Sequence, residues 1–431
     1  MDRWVLVWTS VLLTCLAMVP ARPPARVETP LRAHGHAPPG ACVRVQGTAY
    51  ASSVDATGQF LLPLQGRWTA HLPGHFIAGV PARRGARLHL RALPEHDHPG
   101  YAWVDPTPGQ PGACGNCHTR AYAGWSTGAH AHSATSADFQ HHYGMLLRDK
   151  PDGAGVCSSC HAPGLADDDP ALFDLRQVRG ALAGVHCDYC HKVADLNPGG
   201  EIGLTHGRYL LKLLRPREGQ LFIGPLDDVD RDEDAYSPLY RDSRYCAACH
   251  EGNVFGVPVY TTYSEWRASP AGRRGQQCQD CHSKRYGKEG GRTTPHTFWE
   301  GDQQSMLRRS LELEVGFGDH EIELRLTARN VGHRVPTGFI ERKLTLTWEY
   351  LDANGRVLAT GQAIFARRMT VPFWQSEPGE DTRLHPEVPW LHRDALPPGT
   401  QAVRTRLTHD RFQTQPSKPL VIAERTWPRE R

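Results

Sequence analysis

Aliphatic side chains are scarce in this sequence. Only 39% of its 431 residues are hydrophobic, while glycine (42) and proline (34) are abundant. The length has room for two or three domains, but this composition excludes a thick aliphatic core and points to a loop-rich fold whose interior is filled by something besides side chains. Charge of one sign is lacking too: a formal net charge of +3 gives no global attraction to nucleic acid or to an anionic membrane surface. Methionine is rare, five residues in all, of which Met1 and Met18 lie at the very start.

Long apolar runs are missing after the N-terminus. There, Arg3 is followed by an apolar stretch from Trp4 to Val19, closed by Pro20-Ala21 and a polar, proline-rich segment. The stretch falls short of the ~20 residues of a spanning helix. Residues 1–21 therefore read as an export signal, with membrane contact only if that segment is not cleaved. The expected location is the periplasm or the cell surface. Thr14 before Cys15 is a poor setting for lipid attachment.

Twelve cysteines in an exported chain first suggest disulfides, but their placement contradicts this. Apart from Cys15 and Cys42, they form five pairs, each followed at once by histidine. The motifs are Cys114-Gly115-Asn116-Cys117-His118, Cys157-Ser158-Ser159-Cys160-His161, Cys187-Asp188-Tyr189-Cys190-His191, Cys246-Ala247-Ala248-Cys249-His250 and Cys278-Gln279-Asp280-Cys281-His282. Chance would give roughly 0.02 such motifs in a chain of this composition. Two intervening residues on a helical turn present both thiols to the vinyl groups at one porphyrin edge, and the next residue aims its imidazole at the iron. The cofactor implied is heme c, five per chain, with His118, His161, His191, His250 and His282 as proximal ligands. Zinc sites usually combine two Cys-x-x-Cys motifs or one with distant histidines, which fits an odd number of motifs poorly.

With 24 histidines and few methionines, two imidazoles per iron is the default. Candidates for the distal side are His130, His132, His141, His142, His186, His206 and His296, with surface or propionate-contacting roles as the alternative; His130, His206 and His296 rank first. A weak repeat bears on this: Tyr122-Ala123-Gly124-Trp125 precedes His130, and Tyr263-Ser264-Glu265-Trp266 precedes Ala271 at the equivalent position. Either another histidine serves that heme or one iron is open.

Residues 41–92 read as short strands, with Val43-Arg44-Val45 alternating, a turn at Asp55-Ala56-Thr57-Gly58 and Phe60-Leu61-Leu62 beyond it. They resemble a small β-sandwich of the carboxypeptidase-regulatory type. Residues 101–300 hold all five motifs, on short expected helices joined by irregular loops. The acidic stretch Asp227 to Asp234 reads as a solvated loop, with calcium binding or docking of a basic partner as alternatives. Arg267, Arg273, Arg274, Lys284, Arg285 and Lys288 form a basic region near the fifth motif. Residues 305–425 switch to period two: Leu311, Leu313 and Val315, then Ile322, Leu324 and Leu326, then Leu344-Thr345-Leu346-Thr347-Trp348 before a turn at Ala353-Asn354-Gly355. This predicts an immunoglobulin-like β-sandwich. The expected architecture is thus multidomain: a loop-rich, mainly α-helical multiheme core flanked by two β-sandwiches.

The motifs, the Tyr122/Trp125/His130 cluster, Gly184-Val185-His186, Thr205-His206-Gly207, His296-Thr297-Phe298-Trp299-Glu300-Gly301 and Asn330-Val331-Gly332-His333-Arg334-Val335-Pro336-Thr337-Gly338 together resemble multiheme cytochromes of the cytochrome c-554 and hydroxylamine-oxidoreductase-like superfamily, over roughly residues 101–340. The resemblance implies electron transfer through closely packed hemes, with other redox proteins as donor and acceptor, and with His130, His206 and His296 as distal ligands of hemes other than their sequence neighbours. For His333 it leaves two roles open, reaching a heme and, as the default, a turn between strands. The chain departs from the four motifs of the tetraheme carriers and the eight of the oxidoreductases, and no motif ends in the lysine of multiheme nitrite reductases. Two functions stay open: an electron carrier, and a redox enzyme acting on hydroxylamine, nitrite or nitric oxide at one open heme.

Overall fold

The computed structural model describes residues 30–283, 296–298, 303–414 and 417–429, which include all 24 histidines. The expected signal segment, residues 1–21, and Lys284, Arg285 and Lys288 of the basic region lie outside the described residues.

The first strands form two sheets over one core. Ala51–Ser53, Cys42–Val45, Arg67–His71 and Ala78–Pro81 make a four-stranded sheet in that order, and Arg32–His36 pairs antiparallel with Gln59–Pro63. Alternation sends Val43, Val45, Trp68 and Ala70 of one sheet against Ala33, Phe60 and Leu62 of the other. Trp68 sits edge-on to Phe60 at 5.1 Å and donates its indole N–H to Pro63 O at 2.9 Å. The turn at residues 55–58 closes as its composition demands: Asp55 accepts from Thr57 N and Gln59 N, and Gly58 takes a φ of +79°.

The segment from 101 to 283 is built from short helices, and each motif lies on one. The helices are Cys114–Cys117, Ser158–His161, Cys187–Cys190, Ser243–His250 and Cys278–His282. Between them lie three two-stranded sheets, so helices and small sheets are mixed here: Val193–Leu196 with Leu211–Leu213, Phe222–Gly224 with Asp234–Tyr236, and Glu251–Val254 with Val257–Thr261.

Residues 311–428 form two antiparallel sheets. One has the order Leu311–Phe317, Glu321–Ala328, Trp390–Ala395; the other Val357–Ala366, Lys343–Leu351, Ala402–Asp410, Leu420–Pro428. Ile322, Leu324 and Leu326 pack without exposure against Leu344, Leu346, Trp348, Val403 and Leu407.

The acidic stretch is a clamp rather than a solvated loop. Asp227 pairs with Arg44 at 2.8 Å, Asp230 with Arg67 and Gln46, and Asp228 accepts from Gly47 N at 2.8 Å. Asp227, Asp228 and Asp230 are thus held by the N-terminal sheets, while Asp234 pairs with Arg231 of the same stretch, and Phe76 packs beside it against Leu214, Leu221 and Ile223.

Candidate heme-binding site

Three of the five motif helices are fixed by side-chain caps. Asp242 caps Ser243–His250 by accepting from Arg244 N, Gln277 and Asp280 form a reciprocal box on Cys278–His282, and His186 caps Cys187–Cys190 through Nδ1, which accepts from Tyr189 N at 3.1 Å. That bond makes His186 part of the backbone scaffold. His132 donates its Nε2–H to Ser126 O, 2.9 Å away. His142 is buried among Phe339, Phe373, Trp374 and Phe412, and His141 lies on the exposed face of the same helix.

The motifs converge. No disulfide joins the eleven described cysteines, and thiols of different motifs lie within hydrogen-bond reach: Cys114 and Cys187, Cys160 and Cys249, Cys246 and Cys278. A repeat of three-dimensional contacts underlies this. Trp125 donates its indole N–H to Val185 O at 2.9 Å, and Trp266 to Gln276 O at 2.7 Å; each carbonyl lies just ahead of a motif. Val185 N in turn donates to His130 O at 3.0 Å, and Gln276 N to Ala271 O at 3.1 Å. Motifs one and three therefore form a unit whose contacts recur in motifs four and five, and Ala271 is the true structural counterpart of His130.

Three motif histidines use Nδ1 for a backbone carbonyl: His161 with Ser133 O at 2.6 Å, His191 with Ile223 O at 2.9 Å and His282 with Phe298 O at 3.0 Å. A carbonyl accepts only from an N–H, so each such bond fixes the tautomer in which Nε2 carries the lone pair, as a metal-ligating imidazole requires. Burial holds His191 near pKa 4 and His250 near 3, keeping both neutral. His250 nonetheless retains accessible surface.

Opposite imidazoles give the sharper fit. Two imidazoles bound on opposite sides of one iron, each about 2 Å from it with roughly 1.2 Å from nitrogen to ring centre, would have ring centres about 6.4 Å apart. His130 and His250 stand 6.3 Å apart, His191 and His296 6.5 Å, and His282 and His333 6.2 Å. Sequence reasoning ranked His130 and His296 first and set His333 below them, preferring a turn between strands to a place beside a heme. His206 goes elsewhere: its Nε2 bonds Asn253 O at 2.8 Å, and Gly207 packs on Ser159 O. Among the described residues, no histidine ring contact of this spacing is seen for His118 or His161. His161 stacks on Phe139 at 4.2 Å, and exposed His118 meets the Arg231 guanidinium at 3.3 Å.

Cysteine pairs on helical turns, each followed by histidine and several faced by a second imidazole, define a protein built to hold heme c. Residues 113–192, which contain the first three motifs, match the family model described as cytochrome c554 and c-prime. Among solved structures, a penta-heme cytochrome c552 from Thermochromatium tepidum is 24% identical, with a TM-score of 0.58 over 73% of this chain and 97% of that one. A Bordetella pertussis structure is 13% identical over 27% of this chain and 94% of its own; its TM-score of 0.16 carries no argument. None of the curated protein sequences matches. At this identity the cytochrome c552 likeness bears on the fold, and with the family match it supports a multiheme c-type cytochrome.

Proposed function

We propose that this chain is an exported electron-transfer cytochrome of the periplasm or cell surface, carrying five hemes c between a small N-terminal sandwich and a C-terminal immunoglobulin-like sandwich. The observation that carries the reading is the pair of imidazole spacings that join separate motifs, His130 to His250 at 6.3 Å and His191 to His296 at 6.5 Å. Phe298 links them, 4.7 Å from His130 and 6.2 Å from His296. Rings from the third motif to the fourth thus form one continuous run. Among the described residues no helix is long and apolar enough to cross a membrane.

Each heme, when bound, supplies a one-electron iron couple. The chain's own residues do the rest. The cysteine pairs would hold two points of each macrocycle covalently, and His118, His161, His191, His250 and His282 would present a ring nitrogen to one face. The carbonyls of Ser133, Ile223 and Phe298 keep three of these rings from rotating, which limits the rearrangement that accompanies an electron's arrival. Donor and acceptor are other redox proteins.

A second reading, a redox enzyme acting on hydroxylamine, nitrite or nitric oxide, draws on His118 and His161, which meet no facing imidazole among the described residues, rather than on Ala271. Near-infrared magnetic circular dichroism with EPR, on oxidised protein whose heme content has been counted, separates the two. Five hemes, with no change of spectrum on adding those compounds and no turnover, are expected of the carrier. A high-spin heme that binds and turns over one of them would replace it with the enzyme.

A further inference from the structure

We propose that the C-terminal β-domain completes the fifth heme, with His333 as its second axial ligand, so that one heme is ligated across a domain boundary. This rests on the reading of Cys278–His282 as a heme site. His333 and His282 lie with ring centres 6.2 Å apart and planes 15° from parallel, the most nearly parallel of the three imidazole pairs. His333 carries the same mark as the proximal histidines: its Nδ1 bonds a backbone carbonyl, Arg334 O at 3.0 Å, which leaves Nε2 as the lone-pair nitrogen.

The approach is built in from both sides. Gly332 lies so close to the preceding helices that a Cβ on it would stand 3.3 Å from both Ala271 Cβ and Trp266 Cδ1. Ala271 is the counterpart of His130, and a histidine there would occupy the room that Gly332 takes. Beyond His333, Thr337 Oγ1 donates to Glu265 Oε2 at 2.9 Å, and Arg383 Nη1 to Glu265 Oε1 at 2.6 Å, with both charged side chains about 95% buried. A buried ion pair with good geometry fixes a register, here that of the 333–337 turn on the helix Thr262–Ala268.

The repeat explains why a β-domain is needed. In the first unit, His191 of the third motif is faced by His296, which lies after the next unit. The second unit is the last, so the equivalent position for His282 falls to whatever follows, and that is the β-domain. His130 likewise faces the first motif of the next unit, and no such motif exists for Ala271 to serve.

The test uses full-length holoprotein. Peptide mass analysis first establishes heme on Cys278 and Cys281; its absence would overturn the heme reading at that motif and this inference with it, before any variant is made. In His333→Ala, with heme content equal to wild type, EPR should show one heme equivalent moving from low-spin to high-spin. His333→Met, which keeps a ligand and the packing volume, should stay low-spin while adding one methionine–iron charge-transfer band and raising one midpoint potential. Unchanged low-spin intensity in the alanine variant, or no new band in a folded methionine variant, overturns the proposal.

Discussion

Lys192 and Asp188 form an ion pair with no accessible surface on either side chain, placed on and just after the third motif. Asp188 also accepts from Tyr101 Oη and from Val104 N, each at 2.9 Å. The Lys192 ammonium lies 5.0 Å and 4.8 Å from the Tyr101 and Phe222 ring centres. Burial pulls the lysine pKa down, and Asp188 opposes this. Lys192→Met keeps the packing but strands a carboxylate with only neutral donors. Removing one partner of such a pair costs about 3–5 kcal/mol, against a total of roughly 5–15 kcal/mol for a domain. Guanidinium unfolding of the holoprotein, followed by heme-band circular dichroism, should show that loss. The double variant Lys192→Met/Asp188→Asn, which removes the stranded charge, should regain about 1–2 kcal/mol. The lone carboxylate also favours the ferric state, so the nearest midpoint potential should fall in the single variant. A single-variant loss below about 1 kcal/mol, or a double variant no better than the single, would refute the argument.

Three further outcomes follow from particular contacts. His186→Ala should cost about 0.5–2 kcal/mol through loss of the helix cap and leave EPR spin states unchanged; a new high-spin heme would instead make His186 a ligand. Gly361→Ala places a Cβ 2.2 Å from Trp348 Cε2, so thermal unfolding should reveal about 1–3 kcal/mol of overpacking. The N-terminal clamp should loosen in acid. Burial raises the Asp227 pKa, but the hydrogen bond and charge of Arg44 outweigh it and hold the carboxyl below its ordinary value. Its stabilisation is therefore present above the unfolded pKa of about 3.9 and lost as pH falls through the lower folded value. Limited proteolysis between pH 5 and 2, as an order-of-magnitude window, should show acid-dependent release in wild type that Arg44→Ala lacks; equal profiles would contradict this.

What was legible in the sequence had a period or a fixed spacing. Ile322, Leu324 and Leu326 alternate in sequence and are fully buried, and the five motifs announce their thiols and histidines outright. The strand Arg32–His36 gave no such signal because its inward positions are Ala33 and Gly35; a Cβ on Gly35 would stand 2.4 Å from Phe60, so the partner's bulk forbids the usual apolar marker. Charge runs misled in the same way. Asp227 to Asp230 look solvated until Arg44 and Arg67, more than 160 residues earlier, are brought beside them. Which imidazole faces which is a property of contacts between units, and nothing local in sequence separates His130, which faces His250, from His206, which bonds a carbonyl. The Trp125 and Trp266 repeat was visible, but its use became readable only with the two carbonyls they bond.

The same long-range contacts decide whether the C-terminal sheets are a detachable module. Tyr143 and Leu146 of the helix Ala137–Asp149 share one apolar cluster with Val257, Val259, Ile340, Met369, Phe373 and Trp374, so the motif-bearing segment and the β-domain have a core in common. Trp374 is its clearest probe: 6% exposed, 5.0 Å from His142, and donating its indole N–H to Asp149 Oδ2 at 2.8 Å. Burial of four such side chains from the β-domain, at about 1.5–3 kcal/mol each, amounts to a large part of the stability available to a domain. Trp374→Ala should then cost about 3–5 kcal/mol and shift heme-band and far-ultraviolet unfolding curves together, because the lost contact belongs to both segments. If the β-strands instead melt first, with the heme signals unmoved, the shared core is not a cooperative unit, and the β-domain could be removed without unfolding the rest.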